Sequence, residues 1–256
     1  MRLINAVLAE IKMDLCSTVR YKFGFISDTV IFTIFMAFLM LSNSGASLTQ
    51  KYSYANYREL LLYGYVAWML AISAISTASN EIKNELQRGT FYLKMHSRYP
   101  IIVLYIGKLI ATIIIQLFIT IIVAVIARLL WSVDLHFNLI ILAALLINTL
   151  GMFGIGLLIA GVALLHKRTG ALTLIVQMGL LFITDTLPTS DVLANVTLIL
   201  PLTSCNEVLR SSLVGTLEVR SIIFLILFSA MWLTVGAICF NLCLKRAKKN
   251  GNLLMY

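Results

Sequence analysis

Charge is what this sequence has least of. Asp, Glu, Lys and Arg make up 12% of its 256 residues, against 60% hydrophobic, whereas about a quarter of a soluble domain is charged. With a mean hydropathy of +0.95 and apolar runs along its whole length, the chain reads as a polytopic membrane protein. The stretches between those runs reach roughly 20 to 35 residues, too short for an independent soluble domain. No G-x4-G-K-S/T pattern occurs, which excludes ATP binding through a phosphate loop of that kind. Of the four cysteines, Cys16, Cys205, Cys239 and Cys243, the last two stand one helical turn apart in an apolar run with no His or acidic partner, and His96, His136 and His166 are isolated, so no metal or catalytic group is expected. The first twenty residues carry Glu10, Lys12 and Asp14 where a cleavable signal peptide needs an apolar core, so none is expected.

What charge there is falls unevenly. The net +9 would suggest nucleic acid in a soluble protein, but here the basic residues flank apolar runs, as membrane orientation requires, so no nucleic acid is expected. Residues 1–22 read as an interfacial amphipathic helix with Ile4, Val7, Leu8, Ile11 and Leu15 on one stripe; a partner protein is the other surface that stripe would suit. Six spans follow, at about 23–41, 59–79, 101–130, 139–165, 170–187 and 221–244. Lys108, inside the third, is expected to snorkel to water. With the N-terminus inside, the tails and the loops 80–100 and 165–169 hold fourteen Lys and Arg, the opposite loops and span ends five. The positive-inside rule then places both termini in the cytoplasm of a cell whose plasma membrane the chain crosses.

Gly64, Ala67, Ala71, Ala74 and Ala78 make one small-residue face on the second span, suited to close packing within the subunit or to a dimer seam. Near the other end, about 190–213 reads as an outer re-entrant hairpin of two short helices. Val192 to Leu200 is too short to cross, Pro201 stops it, and Ser204 and Glu207 have the spacing of a capping box, with Arg210 following. A plain extracellular loop is the alternative.

The stretch "NELQRGTFYLKMHSRYP" interrupts two oily runs. The second span extends as a polar helix through Glu81 and Glu85. Gly89 suits the left-handed position that ends a helix, Thr90 a new N-cap, and Pro100 the first turn of the next span. Between them lies a detached helix at about 90–98, exposing Phe91, Tyr92, Leu93 and Met95 among Lys94, His96 and Arg98. It reads as a knob for a groove on another protein, or as a helix resting on lipid.

Here the chain resembles the ATP-binding-cassette permeases of the type-2 exporter class. The shared pattern is Glu85, Gly89-Thr90, Leu93, Pro100 and Gly107-Lys108, then Leu200-Pro201-Leu202 and Leu209-Arg210 in the outer segment; a Glu frequent after Gly-Thr is replaced by Tyr92. The resemblance covers nearly the whole chain. It implies an all-α permease of six transmembrane helices that binds no cofactor itself. Glu85, Gly89, Thr90, Phe91, Leu93, Lys94, Met95 and Arg98 would form a coupling helix on an ATPase subunit. Two such ATPases, holding ATP and Mg, would work with a second permease copy or paralogue in the lipid bilayer. Hydrolysis would drive alternating access and export of an amphiphilic or hydrophobic drug, peptide or lipid. Phe32, Phe35, Met36, Trp68, Met69, Met178 and Phe182 are the candidate cavity wall; core packing is the alternative for each. A polysaccharide or glycolipid exporter, an ion-coupled secondary transporter and a ligand-sequestering sensor are the rival functions.

Overall fold

The computed structural model describes residues 2–42, 46–54, 56–97, 99–133, 135, 138–166, 171–188 and 196–249. Among them every regular element is a helix: α1 (Arg2–Arg20), α2 (Lys22–Leu41), α3 (Ala46–Tyr52), α4 (Tyr57–Gln87), α5 (Phe91–Met95), α6 (Ile101–Trp131), α7 (Leu139–His166), α8 (Leu172–Ile183), α9 (Pro201–Val214) and α10 (Val219–Lys249). Five of these, α2, α4, α6, α7 and α10, are long and apolar enough to cross a membrane. The stretch expected as the fifth span, 170–187, instead contains the twelve-residue α8. Twelve residues rise only about 18 Å, short of a ~30 Å hydrocarbon core.

Close helix packing follows from small residues. A Cβ on Gly236 would lie 2.1 Å from the Gly154 carbonyl oxygen, and one on Gly154 2.3 Å from the Trp232 carbonyl oxygen. Only glycine lets α7 and α10 cross so tightly, the means of helix association where lipid gives no hydrophobic drive. Gly156 meets α4 in the same way, 2.7 Å from the Ile75 carbonyl oxygen. The small-residue face of α4 is therefore packed inside the subunit, and Ala67, Ala71, Ala74 and Ala78 are all buried. A dimer seam on that face is ruled out by the neighbours already there.

These contacts also fix direction. Gly151 meets Ser229 and Gly161 meets Cys243, so α7 and α10 run parallel, while Ala67 and Ile75 face Asn148 and Gly156, so α4 runs with them. Lys108 pairs with Glu81, and Gln116 with Ser73, so α6 opposes α4. Thr173 meets Ser79 and Gln177 meets Ile72 and Ser76, so α8 also opposes α4. Its chain continues through a buried turn to Thr186, whose carbonyl lies beside Gly64. The bundle thus has an α5 end and an α9 end.

Candidate functional site

At the α5 end, α4 stops where its chain enters the left-handed region. Gly89 has φ +71° with nothing within 4 Å of its missing Cβ, and its N–H donates to the Leu86 carbonyl at 3.1 Å. The position demands glycine for its torsion, not for space. Thr90 follows with helical torsions and no side-chain cap bond; its hydroxyl points back to the Glu85 carbonyl, 3.4 Å away. The expected N-cap is not formed, because the turn at Gly89 folds Thr90 over the end of α4 rather than extending it ahead of α5.

The single turn of α5 is two-faced. Phe91 is 2% exposed and belongs to the apolar core, whereas Tyr92 is 43% and Leu93 72% exposed. Met95 is half-buried against the core. This corrects the expectation that Phe91 is an outward anchor: it nails the knob to its own subunit, and Leu93 is the apolar side chain at the tip. Arg98 lies outside the described residues.

Lys94 is not a free rim charge either. Its ammonium sits 2.7 Å from Glu85 Oε1 on α4 and 3.5 Å from Glu10 on α1. Lys108 of α6, expected to snorkel, is 6% exposed and lies 2.7 Å from Glu81 and 3.3 Å from Glu85. The Tyr105 hydroxyl donates to the other oxygen of Glu85. Three elements, α4, α5 and α6, therefore meet on the Glu85 carboxylate, and α1 joins them through Glu10 and Lys94. Lys108 has no need of water because two acids reach it. The preceding Gly107 makes room for α1, the Val7 carbonyl oxygen standing 3.1 Å from where a Cβ would be.

Above this network a cleft of about 500 Å³ opens between the α1–α2 junction, α4, α6 and α8. Its lining is more polar than the sequence led one to expect. Asp28 from α2, Ser73, Ser76 and Thr77 from α4, Thr112 and Gln116 from α6, and Gln177 from α8 all face it. Asp14 sits at its α1 margin, where burial pushes the carboxyl above the usual aspartate range. Of the seven expected wall residues, Phe32 lines the cleft. Phe35 stacks on Trp68 at 5.3 Å, Met36 and Met69 are fully buried, and Met178 and Phe182 turn outward, 37% and 60% exposed. Four of the seven are packed in the core and two face outward, so Phe32 is the one that shares the cleft with its polar side chains.

At the α9 end the expected hairpin is rearranged. Pro201 opens α9 instead of ending a helix, a position where its missing N–H costs nothing. Ser204 then falls inside α9 and its hydroxyl donates to the Leu198 carbonyl at 2.9 Å, so the box with Glu207 does not form. Residues 190–195 of the expected first arm lie outside the described residues. Arg210, expected in an outer loop, is fully buried. Its guanidinium lies 2.8 Å from Asp185, which Lys51 also meets at 3.2 Å, and it donates to the Thr186 carbonyl at 3.2 Å and the Leu60 carbonyl at 3.4 Å. Gly64 makes the room, with the guanidinium 3.0 Å from its absent Cβ. The pair ties α9 to α4 and to the turn after α8.

The profile of the ABC-2 type transporter family matches residues 7–214, a stretch that includes the α5 knob, the cleft and α9. The chain belongs to the ABC-2 type transporter family. It is accordingly a multi-pass membrane protein and the permease component of an ABC transporter, a component that normally lacks an ATPase site. No curated protein sequence matches it. In this ABC-2 permease, Gly107-Lys108 and Leu209-Arg210 acquire physical reasons: close passage of α1, and two buried ion-pair networks.

Proposed function

We propose that this permease is the membrane half of an ATP-driven exporter of amphiphilic molecules, and that α5 is the element on which ATPase subunits act. The observation that carries the reading is the α5 knob itself. A single rigid turn projects Leu93 and Tyr92 from the ends of two long helices, and its base is braced by Lys94 to both α1 and α4. A push on such a knob moves α1, α4 and α6 together, a rigid-body transmission of the kind alternating access needs. Two ATPases, each holding ATP and Mg, and a second permease copy or paralogue complete the machine. The cationic ends of α1 and α10 support a cytoplasmic α5 end and both termini inside. The chain then crosses six times, the fifth by α8 and its buried turn, with the α9 segment outside. Exposed Leu174, Ile175, Met178 and Phe182 on α8 suit contact with lipid or the second copy.

The test is co-reconstitution in liposomes with the ATPase that co-purifies. Substrate-stimulated hydrolysis and ATP-dependent accumulation should both be present. Leu93→Glu should abolish both while leaving the purified chain's thermal stability unchanged, because Leu93 touches solvent, not core. Normal coupling in that variant contradicts the assignment of α5.

A further inference from the structure

The cleft holds an acid without a partner and an amide without an acceptor. Asp28 lies on α2 and makes no ion pair among the described residues. A lone carboxylate in a membrane helix is expensive, and such residues mark ligand or ion paths when nothing in the protein neutralises them. Among the described residues the ammonium that lines the same cleft, that of Lys108, is already held by Glu81 and Glu85. Phe25, Asp28 and Phe32 line it at the three- and four-residue steps of one face of α2, and Tyr21 of the α1–α2 turn lines it too. Asp28 therefore shares its face of α2 with two aromatic side chains, a combination that suits an organic cation.

Gln116 supplies the second, independent sign. Its residue is 4% exposed and its Oε1 accepts from Ser73 at 3.0 Å, yet its Nε2 is buried without a partner. A buried amide donor left unpaired is destabilising, and an acceptor on a bound molecule removes that penalty. Gln116 lies two turns deeper than Lys108 along α6, about 12 Å. Across the cleft, Gln177 has already spent its Nε2 on Ser76 and the Ile72 carbonyl.

We infer that this cleft is a binding site for a monocationic amphiphile carrying a hydrogen-bond acceptor: the cation rests between Asp28 and the α2 aromatics, and the acceptor meets Gln116. The cleft's 500 Å³ falls in the range that holds drug-sized ligands. The inference rests on the permease reading for its meaning as a transport site, but the site itself is a property of this chain alone.

Two fluorescent probes test it on the purified full chain in phosphatidylglycerol nanodiscs. Both are dansyl amides on a hexyl chain, one ended by trimethylammonium and the other by sulfonate; the sulfonamide oxygens serve as acceptors. The ammonium probe should bind saturably, and the sulfonate at least about tenfold more weakly. Asp28→Asn should weaken the ammonium probe about tenfold, the equivalent of one lost charge contact. Asp28→Glu should retain binding, and Gln116→Leu should weaken it several-fold. Equal affinity for the two probes, or unchanged affinity in Asp28→Asn, overturns the inference. Loss in both Asp28 variants shows a packing role and overturns it too. Competition by phosphatidylcholine would identify a lipid headgroup as the source of the cation, and its absence a soluble amphiphile; either supports the site. No ATPase enters this assay. Failed binding beside intact ATP-driven transport sinks this inference alone, and good binding without any ATPase coupling sinks the exporter reading instead.

Discussion

Replacing Glu85 by glutamine removes one charge and almost no volume from the centre of an ion-pair network that links α1, α4, α5 and α6. Its carboxylate faces two ammonium groups, Lys94 at 2.7 Å and Lys108 at 3.3 Å, and accepts the Tyr105 hydroxyl. Removing one member of a buried ion pair costs about 3–5 kcal/mol, because the remaining charge is left uncompensated. Here Glu81 still holds Lys108 at 2.7 Å and Glu10 still holds Lys94 at 3.5 Å, so the lower figure applies, about 3 kcal/mol. For a chain of this size 1 kcal/mol shifts a thermal midpoint by about 2–4 °C. Glu85→Gln should therefore lower it by about 6–12 °C, read from tryptophan fluorescence of the purified chain. Adding Lys94→Met should cost less than the sum of the two single changes by about 1 kcal/mol or more, since the second removes a charge the first has stranded. The exposed Glu218→Gln should shift the midpoint little, within about 0.5 kcal/mol. A midpoint for Glu85→Gln within the range of that control, or strict additivity in the double variant, would refute the network as a brace.

Other consequences concern single positions. Gly89→Val should cost about 2 kcal/mol from torsion alone, since its Cβ meets nothing but φ is +71°, and uncouple transport before it unfolds the chain. Gly236→Ala should fail to fold, its Cβ landing 2.1 Å from the Gly154 carbonyl oxygen, whereas Gly24→Ala, with nothing within 4 Å, should leave thermal stability unharmed. Arg210→Met should destabilise by about 3 kcal/mol, and Asp185→Asn on top of it should recover part of that loss. Cys205 should resist thiol reagents in the folded chain, being buried with its thiol made harder to ionise by that burial, while exposed Cys16 reacts at once.

The helices were legible because hydropathy and turn chemistry are local. Apolar runs give α2, α4, α6, α7 and α10, and Gly89 announces the end of α4 by its torsion. The sites were less legible because they depend on which face each side chain takes. Phe91 and Leu93 look alike in sequence, yet two residues on a short helix point in opposite directions, and only the packed bundle says which one is inside. Asp185 and Arg210 stand far apart in sequence, so an outer-loop cation and a span-end acid gave no sign of being partners. The polar stripe Lys108, Thr112, Gln116 on α6 was readable at four-residue steps, as was Ser73, Thr77, Glu81 on α4. Those two stripes meet in the cleft, by Ser73–Gln116 and Thr77–Thr112 hydrogen bonds of 3.0 Å each. Bulky apolar side chains drew attention as a wall, but in a membrane they are the ordinary filling, and polar residues on facing stripes carry the information. Ser204 misled for a related reason: Pro201 both ends and begins helices, and the strand of chain before it decides which.

If α5 receives the ATPase, a photo-crosslinker placed at its tip will capture that subunit. A benzophenone-bearing residue replaces Leu93 in the chain, expressed with the ATPase that co-purifies, and the same probe replaces the outward-facing Phe182 as control. Position 93 should cross-link to the ATPase in high yield, with the yield changing when a non-hydrolysable ATP analogue is added, and position 182 should not. Absence of a cross-link from position 93 in an assembled complex, or an equal yield from position 182, would show that α5 is not where the ATPase docks.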